Sequence, residues 1–282
     1  MSEVVRIAVA QMNSGVDPQT NLATIAHIAQ GAKTCGADYV LTPEMSVFFA
    51  ENRDMLKARA EPFEGNSAIA QLSQIAKEHA LHLHVGSMAI ALDGDRFANR
   101  SLLFAPDGTL QAYYDKIHLF DANIPGQQAY RESATYRGGE TAVVARAGSF
   151  ELGFSICYDV RFGALYRALA QGGAQVIAVP AAFTVPTGEA HWEVLLRARA
   201  IETGCFILAA AQGGQHENGR STYGHSMVVA PWGEVIAQAD GDAAGLIFAD
   251  LELDRVAEAR QRVPQLENSR DFTLGGSKTA AQ

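Results

Sequence analysis

The sequence predicts an α/β protein whose helices cover the faces of sheets. Three observations carry that expectation. Short apolar runs bounded by turn signals alternate along the chain with segments of helical periodicity. The rhythm of the first half returns in the second. No linker, low-complexity stretch or internal repeat interrupts it. The 282 residues therefore read as one unit over 1–270, followed by a polar, glycine-containing tail over 271–282.

The elements follow in order. VVRIAVAQM (4–12) is apolar on both faces, as a buried strand is. NLATIAHIAQGAKTC (21–35) places Leu22, Ile25, Ile28, Ala29 and Ala32 on one helical stripe, and Gly36 stops it. DYVLTPE (38–44) is a short strand entering a loop. A second helix over Asn66–Ala80 carries Ile69, Leu72, Ile75 and Ala76. LHLHVGSMAI and RSLLFAPDG are strands, the second closed by a Pro-Asp-Gly turn. TAVVAR and FELGFSIC are the next strands, and FGALYRALAQGG is a helix ended by glycines. QVIAVP is a strand, HWEVLLRARAIETG a helix and FILAAA a strand. HSMVVAPWGEVIAQ forms a hairpin about Pro-Trp-Gly. GLIFADLEL is the last strand, and DRVAEARQR the last helix.

Composition excludes several function classes. The chain carries 31 acidic and 22 basic side chains, a net charge of −9. That charge repels phosphate backbones and anionic lipid, so neither a nucleic-acid module nor a membrane-surface protein is expected. No run of about 18 apolar residues could span a bilayer. The N-terminal MSEVVRIAVAQ lacks a basic region before its apolar run and reads as a strand, not a signal peptide. Three scattered cysteines make no disulfide framework, so a cytoplasmic location is expected. No GxGxxG or GxxxxGK[ST] stands between a strand and a helix, which leaves nucleotide binding without support.

Three residues could carry chemistry. Cys157 ends the strand FELGFSIC, and a helix follows within a few residues. A nucleophile at such a turn projects clear of the sheet and leaves backbone N–H groups free for an oxyanion. The alternative is a core cysteine, which is how Cys35 and Cys205 read. Glu44 lies at the C-terminal end of its strand, where α/β sheets place ligand sites. In a closed pocket it could activate a thiol; otherwise it is a solvated loop carboxylate. Lys116, in YYDKIHLF, either faces solvent on an edge strand or aims at an oxyanion. A papain-like histidine base stays open with eight histidines. His82 and His84 alternate and share a strand face, which allows a zinc site. No CxxC or HExxH accompanies them, so a metal is not expected. His191 reads as a packing residue.

Taken together, the segments LTPE, YDKIHLFD and ICYDVRF resemble the nitrilase (carbon–nitrogen hydrolase) superfamily. The resemblance extends from VRIAVAQMNS to the final helix. It implies a four-layer α-β-β-α sandwich and a Glu–Lys–Cys triad of Glu44, Lys116 and Cys157. It adds Glu132, in AYRESATYRGGE, as a second glutamate; Glu140 is the neighbouring competitor with a structural role. The segments HLFDANIPGQ, YRES, PAAFTVPTGEAHWEVLLRARAIETGCFILAAAQ and YGHSMVVAPWGEVIAQ are similar to the branch of deaminated-glutathione amidases and ω-amidases. AAFTVPTG and LLRARAIET lean toward the former.

The resemblance implies a thioester cycle at Cys157, with the Tyr158 N–H and Lys116 stabilising the oxyanion and no cofactor required. Arg161 either pairs with Asp159 or grips a substrate carboxylate, as the matching arginine does in relatives acting on N-carbamoyl amino acids. Phe183 and Thr187, read as loop residues after QVIAVP, are candidate pocket walls. A small amide substrate and a homodimer or larger homo-oligomer are the implied partners. The competing functions are an ω-amidase, a nitrilase, an N-carbamoyl amino acid hydrolase, a papain-like enzyme and a non-catalytic interaction protein of the same fold.

Overall fold

Alternate residues of the first strand enter different cores. A computed structural model describes residues 4–123, 129–273 and 275. In β1 (Val4–Gln11), Val5, Ile7 and Val9 pack between two sheets, while Ala8 and Ala10 pack beneath helices. That period-two division is why the run is apolar throughout.

The chain continues through α1 (Pro18–Thr34), β2 (Tyr39–Leu41), α2 (Arg53–Arg59), α3 (Ser67–His79), β3 (His82–Ala91), β4 (Phe97–Phe104) and β5 (Leu110–Asp115). A small ribbon, β6 (Asp121–Ala122) with β7 (Tyr130–Arg131), follows. The second half comprises β8 (Val144–Ala147), β9 (Phe150–Phe154), α4 (Gly163–Gln171), β10 (Val176–Ala178), α5 (Val185–Thr203) and β11 (Phe206–Ala209). Then come the hairpins β12 (Gly213–Gln215) with β13 (Ser221–Tyr223) and β14 (Met227–Val229) with β15 (Val235–Gln238), and finally β16 (Gly245–Glu252) and α6 (Asp254–Arg262).

One six-stranded sheet runs β16-β1-β2-β3-β4-β5, and the other β15-β14-β11-β10-β9-β8. Helices α1 and α3 cover the outer face of the first, burying Leu22, Ile25, Leu72 and Ile75 on Val40, Leu83 and Val85. Helices α4 and α5 contribute Leu165, Leu169, Trp192 and Leu196 to the core of the second. The inner faces meet through Ile7, Val9, Tyr39, Leu41, Phe150 and Phe154. This is the expected α-β-β-α sandwich. The last strand pairs antiparallel with the first from Val4↔Glu252 to Gln11↔Gly245, which ties both ends of the chain into one sheet. Among the described residues, no helix is long and apolar enough to cross a membrane.

The structure shifts several boundaries. Helix α1 starts at Pro18, because the Asp17 carboxylate caps Thr20 N at 2.8 Å and proline suits the first helical position. Helix α5 starts at Val185, ahead of His191 where the periodicity becomes visible. Pro186 and Gly188 disguise its first turn. Gly188 is there for space, since a Cβ would lie 2.2 Å from Tyr223 Cγ. Helix α2 escapes the pattern because Leu56 alone among its residues is buried. Cys35 is exposed beyond α1, not core, whereas Cys205 is buried as expected. Residues 1–3, the 124–128 part of HLFDANIPGQ, and the tail beyond 273 except 275 lie outside the described residues.

Candidate active site

Four of the residues singled out in the sequence converge where the C-terminal ends of β2 and β9 face one another. Lys116 follows the last residue of β5 and is only 2% exposed. Its Nζ lies 2.9 Å from Glu44 Oε1 and 2.9 Å from Glu132 Oε2. Asn99 Nδ2 donates to the same Glu44 oxygen at 2.9 Å and to Glu132 Oε1 at 3.3 Å. The other Glu44 oxygen accepts from the Ala182 N–H at 2.9 Å, and Glu132 Oε2 accepts from the Phe120 N–H at 2.6 Å. Burial alone would push the lysine's pKa down. Glu132, then Glu44, outweigh it, and Lys116 stays charged well above its ordinary range.

The thiol stands beside this cluster. Strand β9 ends at Phe154, and Cys157 opens a 3₁₀ turn over Cys157–Arg161 with φ +49°. A positive φ at a non-glycine residue is uncommon and here must be held in place. The Cys157 N–H donates to Pro180 O at 2.8 Å. Asp159, wholly buried, fixes the turn from within. Its carboxylate accepts from the Ile156 N–H at 2.9 Å, the Tyr114 hydroxyl at 2.7 Å and the His118 N–H at 3.0 Å, and it meets His118 Nδ1 at 2.7 Å. The Tyr158 N–H has no acceptor among the described residues. Burial, then the Glu44 carboxylate, push the Cys157 thiol well above its ordinary pKa against the pull of Lys116. Both influences favour the thiol over the thiolate. Glu44, Lys116, Glu132 and Cys157 share the wall of a cavity of about 650 Å³ with Phe49, Tyr136 and Arg220.

The carbon-nitrogen hydrolase family matches residues 6–261. The chain belongs to the carbon-nitrogen hydrolase family. It is similar to the deaminated glutathione amidase of Yersinia enterocolitica, 41% identical over 267 residues, or 94% of this chain and 92% of that one. The C. elegans NitFhit protein superposes with a TM-score of 0.87 at 36% identity, covering 95% of this chain and 66% of that one. The amidase from Nesterenkonia sp. AN1 gives a TM-score of 0.81 at 28% identity over 94% of each chain. That structure is of a mutant carrying the acetamide moiety of fluoroacetamide on the active-site cysteine. This carbon-nitrogen hydrolase is an amidase by the same comparisons.

Other expected residues of the hydrolase lie elsewhere. Arg161 is not in the cavity wall. Its guanidinium sits 3.3 Å from His191 Nδ1 and over the rings of Phe183 and Tyr158, at 5.5 and 5.9 Å. Nor does it pair with Asp159, whose oxygens are taken by Tyr114, His118 and the Ile156 N–H. Phe183 is buried against Trp192, with ring centroids 4.7 Å apart. Thr187 belongs to the first turn of α5, not a loop, and shares a 2.8 Å hydrogen bond with Thr184. Glu140 is exposed outside the cavity wall. His84 lies between the sheets with Tyr39 Oη on one nitrogen at 2.5 Å and Ser101 Oγ on the other at 2.7 Å. Burial lowers its pKa to about 3. His82 meets Gln111 at 3.2 Å. No group of three or more His, Cys, Asp or Glu among the described residues could hold a metal. Sequence reasoning missed Asn99, Tyr136 and Arg220. Asp159 carried one signal, its place two residues beyond the candidate nucleophile.

Proposed function

We propose that the enzyme hydrolyses the amide C–N bond of a small carboxylate-bearing substrate through a thioester on Cys157. The substrate we assign is deaminated glutathione, cleaved to 2-oxoglutarate and Cys-Gly, as the relatives' names suggest. The observation that carries the reading is a buried ammonium shared between Glu44 and Glu132 beside a buried cysteine held at positive φ.

Glu44 takes the Cys157 proton as sulfur attacks the amide carbonyl. Lys116 and the free Tyr158 N–H receive the oxyanion, where each good donor in a dry site is worth roughly 3–4 kcal/mol. Protonated Glu44 returns the proton to the leaving nitrogen, the C–N bond breaks and a thioester remains. Glu44 then draws a proton from water, hydroxide adds to the thioester, and the acid and the free thiol are released. Glu132 holds Lys116 in place. Arg161 lies over the Tyr158 ring. The residues in hand suffice for this cycle without a cofactor.

We further infer a homodimer or larger assembly, and a cytoplasmic setting in which Cys35, Cys157 and Cys205 stay reduced. Mass spectrometry under turnover should find the 2-oxoglutaryl adduct on Cys157. Cys157→Ser should fold yet form no thioester. An adduct on Cys35 or Cys205 would overturn the assignment.

A further inference from the structure

Three arginines stand in the cavity wall, and two of them are already engaged. Arg53 donates to the Asp95 carbonyl at 2.9 Å. Arg131 donates to the carbonyls of Tyr130 and Ala122 and to Asn123 Oδ1. The Arg220 guanidinium has no hydrogen bond or ion pair among the described residues; it lies over the Phe49 ring at 5.1 Å. The chain that carries it is fixed. Arg220 sits in the β12–β13 hairpin, where its backbone N–H donates to Asn218 Oδ1 at 3.0 Å and its carbonyl accepts from the His216 N–H at 2.8 Å. Buried His216 bonds Ser14 O and Thr222 Oγ1, and Asn218 Nδ2 donates to Phe49 O at 3.0 Å. The hairpin, the Phe49 loop and the arginine above it are thus tied together.

Tyr136 is the second observation. It is 9% exposed, lines the same cavity, and its hydroxyl has no partner among the described residues. The hydroxyl opens onto the cavity, where a ligand atom can be its partner. Burial, then Glu132, hold its phenol protonated well above the ordinary range, so it donates. The carboxylates in the wall, Glu44, Glu51 and Glu132, repel an anion from the remainder of the cavity. A free guanidinium and a protonated phenol that can donate its O–H match a carboxylate.

We infer that Arg220 and Tyr136 form a carboxylate-binding subsite that sets the substrate preference of this amidase. The inference rests on the amidase reading above and places a recognising cation on the β12–β13 hairpin, in addition to the Arg161 expected from the sequence. The guanidinium binds the carboxylate, and the Tyr136 hydroxyl donates to the same group. The carboxylate could belong to the acyl half or to the amine half of the substrate, and both present the same chemistry.

The test compares three amides. 2-Oxoglutaramate carries its carboxylate in the acyl half, N-butanoyl-Cys-Gly in the amine half, and butyramide has none. In Arg220→Ala, kcat/KM for the recognised charged amide relative to butyramide should fall by roughly 10–150-fold, the range of one charged hydrogen bond. KM should carry most of the change. Arg220→Lys should recover part of the loss, and the isosteric Tyr136→Phe should lose about tenfold with an unchanged Tm. The charged amide that suffers identifies the half. Equal losses on all three amides would overturn the subsite. If wild type takes butyramide but neither charged amide, the substrate reading has failed, and glutarate inhibition then decides the subsite. Competitive inhibition weakened in Arg220→Ala supports it, and unchanged inhibition rejects it.

Discussion

Glu44 has three donors on two oxygens: Lys116 and Asn99 on one, the Ala182 N–H on the other. Each holds the carboxylate still beside a thiol that burial keeps protonated. Glu44→Gln removes the base and turns one arm into a donor facing a donor, Ala182 N–H or Lys116. We expect kcat to fall by roughly 10²–10⁴, as for lost acid–base help. The mispaired amide should also cost about 1–3 kcal/mol in urea unfolding. Retained activity with the same pH profile would reject Glu44 and return the role to a histidine. Glu44, Lys116 and Cys157 each left a plainer reading open at its own position, a solvated carboxylate, a solvent-facing lysine and a core cysteine, and became a set through the resemblance. Glu132 was legible only through the resemblance. Asn99 and Tyr136 were not legible, because asparagine and tyrosine in strands and loops are too common to single out. Arg220 shared that fate; an arginine near a hairpin reads as a solvated charge until the cavity is seen beneath it. Arg161 was singled out for its closeness in sequence to Cys157, and its guanidinium lies beside His191 and over the Tyr158 ring.

At the scale of elements, the site depends on two sheets meeting at their strand ends. The meeting point is Gly86, at a register shift in β3 between Val85 and Met88. Its N–H donates to Thr42 Oγ1 at 3.1 Å, two residues before Glu44. A Cβ there would lie 2.0 Å from Thr42 O and 2.5 Å from both Pro43 O and Pro180 Cβ. Pro180 in turn receives the Cys157 N–H. One glycine therefore sets the spacing between the Glu44 loop and the Cys157 turn. Gly86→Ala should cost about 1–3 kcal/mol through overpacking. It should also lower kcat more than Gly163→Ala, whose Cβ would meet only side-chain atoms, at 3.3 Å or more. Equal effects of the two would show that the spacing does not matter to chemistry. The alternation of strands and helices was readable because each apolar period is local. The Gly86 approach was not, since LHLHVGSMAI reads as an uninterrupted strand and the atoms that crowd its glycine come from two distant segments.

The whole molecule buries two helical faces on two sheets yet leaves a third apolar surface uncovered. Val194 and Ile201, seven residues apart on α5, are 69% and 54% exposed. Ile201 lies beside the tip of the β14–β15 hairpin, where a Cβ on Gly233 would touch it at 2.8 Å. Trp232, on that tip, is 49% exposed beneath the Arg262 guanidinium, and Val263 after α6 is 50% exposed. The helix is apolar on more than one side, which is why its sequence pattern identified a helix without identifying an outward partner. A surface of this kind is costly to leave in water and suits a second copy of the chain meeting it about a two-fold axis. The same α5 carries Trp192 into the core that also holds Cys157. Ile201→Asp with Trp232→Asp places two carboxylates on each copy and four across a two-fold contact, and it adds no bulk. Sedimentation should then show the monomer at concentrations where wild type forms the homo-oligomer proposed above. The monomer should keep its far-ultraviolet dichroism and unfold at a Tm that no longer rises with protein concentration. An unchanged sedimentation coefficient would place the contact on another face.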